Sequence, residues 1–199
     1  PVNSTLDVLN STLVSSLRMW RGTMVRTHAR QPAKPLQLYE FEACPYCRLV
    51  REALTEIDLD ALIFPTPHGG KRFRPKVAEL GGKQQFPYLV DPNTGESMYE
   101  SAEIIEYLYR RYGGRAAPTR LLRPVEVSTS LVAGVARLRA GGRARPSKSP
   151  KKPLELFSFE SSPYSRRVRE LLSELELPYL LRSTGKAGWQ DLGPPRLRT

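Results

Sequence analysis

Two stretches of this chain align without a gap: LQLYEFEACPYCRLVREALTEIDLDALI at 36–63 and LELFSFESSPYSRRVRELLSELELPYLL at 154–181. Half of the 28 aligned positions are identical, so the chain carries a duplicated unit. Whatever fold the first copy adopts, the second begins in the same way. The copies differ at two positions where chemistry would sit: Cys44 and Cys47 of the first are Ser162 and Ser165 in the second. Similarity continues upstream, with TLV at 12–14 near SLV at 130–132 and KP at 34–35 matching KP at 152–153. The repeating unit is therefore a helix, a basic linker and a folded part.

The folded part of the first copy, 36–113, reads as a series of elements. LQLYEF alternates large apolar side chains and is a strand. Cys44-Pro45 opens a helix, since proline in a first turn loses no hydrogen bond, and Leu49, Val50, Ala53, Leu54 and Ile57 follow helical spacing. ALIF is a second strand, and FPTPHGGKRF a loop. RPKVAELGG is a short helix stopped by its glycines. FPYLV and ESMY are strands around the turn DPNTG, and Ser101 is expected to cap a final helix, SAEIIEYLYRRY. The order βαβ, α, ββ, α predicts a mixed four-stranded sheet covered by helices, an α/β layer arrangement of thioredoxin type.

The remaining segments are 1–35, an amphipathic helix and basic linker, then 114–153, a basic linker with a second helix (STSLVAGVARLRA), and 154–199, a partial second copy. Leu6, Leu9, Leu13 and Leu17 form one stripe of the first helix, expected to pack on its own or the neighbouring folded part. The second copy supplies only β-α-β, and its remainder is expected beyond this sequence or from elsewhere.

The net charge of +11 raises the question of nucleic acid. The charge lies in the connecting segments: residues 1–35 hold five bases and one acid, and 114–153 hold ten and one. Residues 36–113 hold nine bases and twelve acids, so the patterned part is slightly acidic. That distribution points away from nucleic acid; the basic linkers suit solvent, an anionic membrane surface or an acidic protein partner. The Ser- and Arg-rich opening, with Asp7 its single acid, has the character of the region near a transit peptide, and a chloroplast location is expected.

Cys44 and Cys47 are the only cysteines, too close to staple a secreted fold. A sulfur at a helix start faces unpaired N–H groups and the positive end of the helix dipole, which favour thiolate. Cys44 holds that place and is the expected nucleophile; Cys47, one turn inside, can attack a mixed disulfide formed on Cys44. Structural zinc takes four ligands, whereas His28 and His68 lie in linker and loop without ligand spacing, so no metal is expected.

Strand, Cys-Pro-Tyr-Cys, helix, and a later strand opening on Pro87 resemble a glutaredoxin. QFPYLVDPNTGESMYESAEIIEYL resembles the N-terminal thioredoxin-like domain of glutathione transferases. The resemblance implies a glutathione-linked thiol protein of the thioredoxin superfamily acting on disulfide or glutathionylated protein substrates, with glutathione as co-substrate. It implies a cis bond between Phe86 and Pro87, Phe86 pairing by its backbone with the cysteinyl part of glutathione, and Tyr46 beside the bound tripeptide. It also implies the Glu100-Ser101 pair holding the γ-glutamyl end at a helix start. The one metal arrangement it allows is a cluster shared between two chains with glutathione as outer ligand. Transferases of the usual kind continue into an all-helical domain, and here a basic linker and a second copy follow Gly113-Gly114 instead. Conjugation therefore ranks below thiol–disulfide exchange. A non-enzymatic docking role is the alternative, and it suits the second copy best, because a serine hydroxyl cannot exchange with a disulfide.

Residues 154–199 expressed alone should fold poorly; a sharp, cooperative thermal transition of that fragment would contradict the partial-copy reading.

Overall fold

Leu36, Leu38 and Glu40 alternate with Gln37 and Tyr39, and this alternation organises the sheet on which everything else is laid. The computed structural model describes residues 4–122, 130, 137 and 140–187. Helix α1 spans Ser4–Leu17, and the first copy follows as β1 (Leu36–Glu40), α2 (Pro45–Glu56), β2 (Ala61–Pro65), α3 (Arg74–Gly81), β3 (Tyr88–Val90), β4 (Ser97–Met98) and α4 (Ser101–Arg111). After a 3-10 turn at Thr119–Leu122 come β5 (Leu154–Ser158), α5 (Pro163–Glu174) and β6 (Tyr179–Ser183). The strand and helix order read from 36–113 is the order found, an α/β thioredoxin-like arrangement.

The expected four strands form four of the six strands of a larger sheet. Six strands run β4-β3-β1-β2-β6-β5, so the two copies share a single sheet rather than two separate ones. Within each copy the first two strands are parallel, and the join between copies is the antiparallel pair β2–β6. Its register places Leu62 opposite Leu180, residues that are counterparts in the repeat. A local twofold axis therefore passes between them and relates copy to copy. Two isolated bridges obey it: Met24 meets Lys186, and Arg143 meets His68. Gly22 and Gly141 are also paired by it, with φ of 70° and 76°, and a Cβ there would strike Glu160 and Glu42 respectively.

Side chains on the helix-covered face of the sheet form the main core, in which Leu36, Leu38, Ile63 and Leu89 meet Val50, Ala53, Leu54, Ile104 and Leu108. Tyr179 and Leu181 of the second copy join the same core. On the opposite face Tyr39, Val77 and Tyr88 make a smaller aromatic cluster with Phe64, Phe73 and Phe86 around it. Among the described residues the second copy lacks equivalent cover. Val50 and Ala53 are fully buried, while their counterparts Val168 and Leu171 are 44% and 50% exposed.

The crossing between copies is ionic. Arg51 Nε pairs with Glu160 at 2.9 Å, and Arg169 Nε pairs with Glu42 at 3.0 Å, related by the twofold axis. Each arginine also reaches the glutamate of its own copy at 3.1 Å, and Arg51 binds Glu40 as well. All of these side chains are buried. Burial would raise the Glu160 carboxyl, but Arg169 and Arg51 outweigh it and hold it at about 2. Arg48 and Arg51, both charged residues of α2, are buried.

The leucine stripe of α1 departs from expectation. Leu6, Leu9, Leu13 and Leu17 are 63%, 59%, 57% and 47% exposed, and the buried face is Ser11, Val14, Ser15 and Arg18. The reason lies in the arginine beneath it. Arg166 of α5 donates to the Ser11 carbonyl (2.6 Å) and Ser15 Oγ (3.0 Å), while Ser11 and Ser15 donate to the carbonyls of Pro163 (2.9 Å) and Ser161 (2.7 Å). Burying that guanidinium requires acceptors, and leucine has none. The first copy's helix thus lies on the second copy. Most of the second candidate helix falls outside the described residues, but Ser130 donates to the Pro45 carbonyl of the first copy at 3.0 Å. Among the described residues no helix is long and apolar enough to cross a membrane.

Replacing Arg51 by Met leaves Glu40 without its arginine and Glu42 and Glu160 with Arg169 as their shared partner, and should cost about 3–5 kcal/mol in urea unfolding. A loss within experimental error of zero would show that the crossed pairs do not join the copies. Since Glu160 lies below the ordinary 4.5, its contribution is complete above that pH and is lost as the pH falls towards about 2. The Glu160→Gln variant should accordingly lose part of the wild type's stability gradient across that acid range.

Candidate thiol site

Cys44 ends the loop after β1 as the N-cap of α2, with extended backbone (φ −76°, ψ 123°) and Pro45 in the first turn. Its N–H is tied to the Phe41 carbonyl at 3.0 Å, and its Sγ accepts the Cys47 N–H at 3.3 Å. The second copy repeats this in oxygen: Ser162 caps α5, and its Oγ accepts the Ser165 N–H at 3.3 Å. The local conformation is thus independent of the sulfur, and only the reactive atom has been exchanged.

Both cysteines are free thiols. Burial would push the Cys44 thiol up, yet hydrogen bonds from the Cys47 thiol and from the N–H groups of Cys47 and Tyr46 bring it below its ordinary value. Cys47 goes the opposite way, raised well above the ordinary value by burial and by its neighbour Cys44. The pair is therefore polarised: the sulfur at the cap favours thiolate, and the one a turn inside holds its proton. Cys44 is only 5% exposed and Cys47 fully buried.

Around this pair the structure gathers aromatic rings and one cation. Phe41, three residues before Cys44, lies edge-on to His68 (5.1 Å between centroids) and to Phe86 (6.2 Å). Phe86-Pro87 is a cis peptide bond. The Arg74 guanidinium lies 4.7 Å from the Phe86 ring and 5.8 Å from the Phe41 ring, with Nε donating to the carbonyls of Thr66 and Pro67 at 3.0 and 2.8 Å. Burial lowers its affinity for its proton, and the field of Cys44 and Cys47 acts against that effect. Arg74 thus stands within electrostatic reach of both sulfurs.

The other residues singled out in the sequence meet this group unequally. Tyr46 is on the exposed side of α2, 47% accessible. Glu100 is bound by Gln85, the residue before Phe86, so the start of α4 is tied to the loop carrying the cis bond. Ser101 does not cap α4. It is the first helical residue, and Glu100 is the cap, with no side-chain capping bond and a backbone at φ 62°, ψ 116°. A glutamate in that region is strained, and such strain is kept where the surroundings impose it. Among the described residues no three His, Cys, Asp or Glu side chains assemble into a metal-binding group.

Arg74 and Phe41 were not singled out in the sequence, where Arg74 opens the short helix RPKVAELGG, and His68 was weighed there only as a metal ligand. Glu40 carried a usable signal: with Leu36 and Leu38 it alternates onto the inward face, so an acid four residues before Cys44 had to be buried. Burial raises it to about 7 despite its pairing with Arg51, and its charge raises both thiols.

The family model of the glutathione S-transferase N-terminal domain matches residues 38–116 and again 156–193, more than half of the chain. The chain belongs to that family. Both copies of this glutathione S-transferase N-terminal-domain protein are recognised by the same model, the second over a shorter span. Among solved structures, it is similar to a delta-class glutathione transferase of Nilaparvata lugens, at 27% identity over 40% of this chain and 37% of that one, with a TM-score of 0.32. It is also similar to a glutathione transferase of Bombyx mori, at 25% identity over 43% of this chain and 39% of that one, with a TM-score of 0.34. The chain thus spans well under half the length of these two proteins. No curated protein sequence matches.

Alkylation of Cys44 followed against pH should show a midpoint below the ordinary thiol value of 9.0, with thiolate present above that midpoint. The Cys47→Ala variant removes the thiol that donates to Cys44 and should move the midpoint upward. An unchanged midpoint would assign the stabilisation to the backbone N–H groups alone.

Proposed function

We propose that this protein is a glutathione-linked thiol–disulfide oxidoreductase acting through Cys44 and Cys47. The observation that carries the reading is the opposed polarisation of the two sulfurs, one favoured as thiolate at the start of α2 and one kept protonated beneath it. The Cys44 thiolate attacks one sulfur of a disulfide or glutathionylated protein, forming a mixed disulfide and releasing the other sulfur as a thiolate that takes a proton from solvent. Either Cys47, after losing its proton, or a glutathione thiolate then attacks that mixed disulfide. Over a full cycle two glutathione molecules are oxidised to their disulfide, and the substrate disulfide receives the two electrons.

In this reading glutathione lies along the edge formed by the cis Phe86-Pro87 bond and the start of α4. The Phe86 backbone pairs with its cysteinyl part, and Glu100 and Ser101, with the open N–H groups of α4, receive the γ-glutamyl end. Tyr46 flanks it. Arg74 provides a cation for the remaining carboxylate, a role supported by its place over Phe86 and near the sulfurs. The Cys44→Ser variant should lose turnover in glutathione-coupled disulfide reduction; full activity in that variant would remove the proposal.

A second reading has one finding in its favour, the names of the two solved relatives. Transfer of glutathione to an electrophile would use the same thiolate-stabilising ground. An all-helical domain would normally follow, whereas here β6 of the second copy lies against β2.

A further inference from the structure

The loop between β2 and α3 carries His68 and leads into Arg74, the first residue of α3, and its middle, 68–72, is bound by the copy that lacks cysteines. The Lys71 and Arg72 N–H groups donate to the two carboxylate oxygens of Glu176 at 3.2 and 3.0 Å. Arg72 Nη1 donates to the carbonyls of Leu175 (3.3 Å) and Glu176 (3.1 Å), and its Nη2 to that of Ser147. The His68 N–H donates to the Gly142 carbonyl at 2.8 Å, and the His68 carbonyl accepts the Ala144 N–H at 2.9 Å. Gly70 lies so close that a Cβ would come within 2.6 Å of the Glu176 carboxylate. By contrast, Arg74 itself is held within its own copy, by carbonyls at the near end of the same loop.

We propose that the cysteine-free copy is the positioning element of the thiol site: Glu176, with the 141–147 segment, holds the 68–72 loop so that Arg74 stays over Phe86 and Phe41 and selects anionic reactants for Cys44. The proposal rests on the reading of Cys44 as a reactive thiolate. It gives the second copy a function that needs no sulfur. A loop of eight residues tethered only at its strand and helix ends would let a guanidinium sample many positions, each with a different field at the thiol. Tethering it at 68, 71 and 72 removes that freedom, and all three tethers lie across the interface between copies.

The test compares Cys44 alkylation by iodoacetate, an anion, with alkylation by neutral iodoacetamide, in the full chain at low salt. The Glu176→Gln variant keeps the size of the side chain but turns one of two acceptors into a donor facing a backbone N–H. It should lower the iodoacetate-to-iodoacetamide rate ratio by about fivefold, as should Arg72→Ala and Arg74→Met. Glu176→Gln combined with Arg74→Met should lower it no further than Arg74→Met alone. A fall in Arg74→Met with no change in either Glu176→Gln or Arg72→Ala would overturn the proposal, as would additive losses in the double variant. If wild-type Cys44 resists both reagents, the thiolate reading fails, and the clamp is judged by hydrogen exchange at the Lys71 and Arg72 amides. Faster exchange there in Glu176→Gln upholds the clamp, and unchanged exchange removes it.

Discussion

The crossed pairing of Arg51 with Glu160 and Arg169 with Glu42 is the interaction on which the rest of this molecule depends. Buried charges are costly to desolvate and are tolerated only when each is answered by an opposite charge in good geometry. Here each arginine is answered from both copies, so each buried charge draws part of its compensation from the other copy. The antiparallel β2–β6 ladder supplies the register and the ion pairs supply the penalty for separation. Together they turn two repeats into one sheet.

That union explains the unequal fate of the repeats. The first copy has α4 over its helix face and an aromatic cluster under its other face, while Val168 and Leu171 of the second stay open to solvent. The second copy is stabilised largely through its neighbour, and it still keeps the cap at Ser162, the arginine at 169 and the glutamate at 160. These are the features that the shared interface uses. The sulfurs are not used there, and serine replaces them without altering the turn. Retention of the shape and loss of the thiols are thus two results of one arrangement.

Much of the first copy was legible in the sequence, because each element signals itself locally. Alternation in 36–40, proline at 45 after a capping cysteine, and the helical spacing of Leu49 to Ile57 all act over a few residues. The same holds for Cys44, whose place at a helix start is signalled by the proline that follows it. Three features needed more than local pattern. The leucine stripe of α1 has helical period, but period does not say which face is buried, and the need of Arg166 for acceptors chose the serine face. Ser101 stands where a cap is common, yet Glu100 takes the capping place, its side chain bound by Gln85. The burial of Arg48 and Arg51 has no local signal either, since it depends on Glu160 of the second copy.

The sequence by itself determined that there are two copies of one thioredoxin-like beginning, that one carries a cysteine pair at a helix start, and that the other has serines there. These follow from residue order, since hydrogen bonding and side-chain period act along a few neighbouring positions. Tertiary structure alone decided that the copies merge across a twofold axis, that Arg74 overlies the thiol site, and that Glu176 holds the loop leading into it. Those contacts join residues up to about 120 positions apart, and only closure of the shared sheet brings their charges and carbonyls within bonding distance.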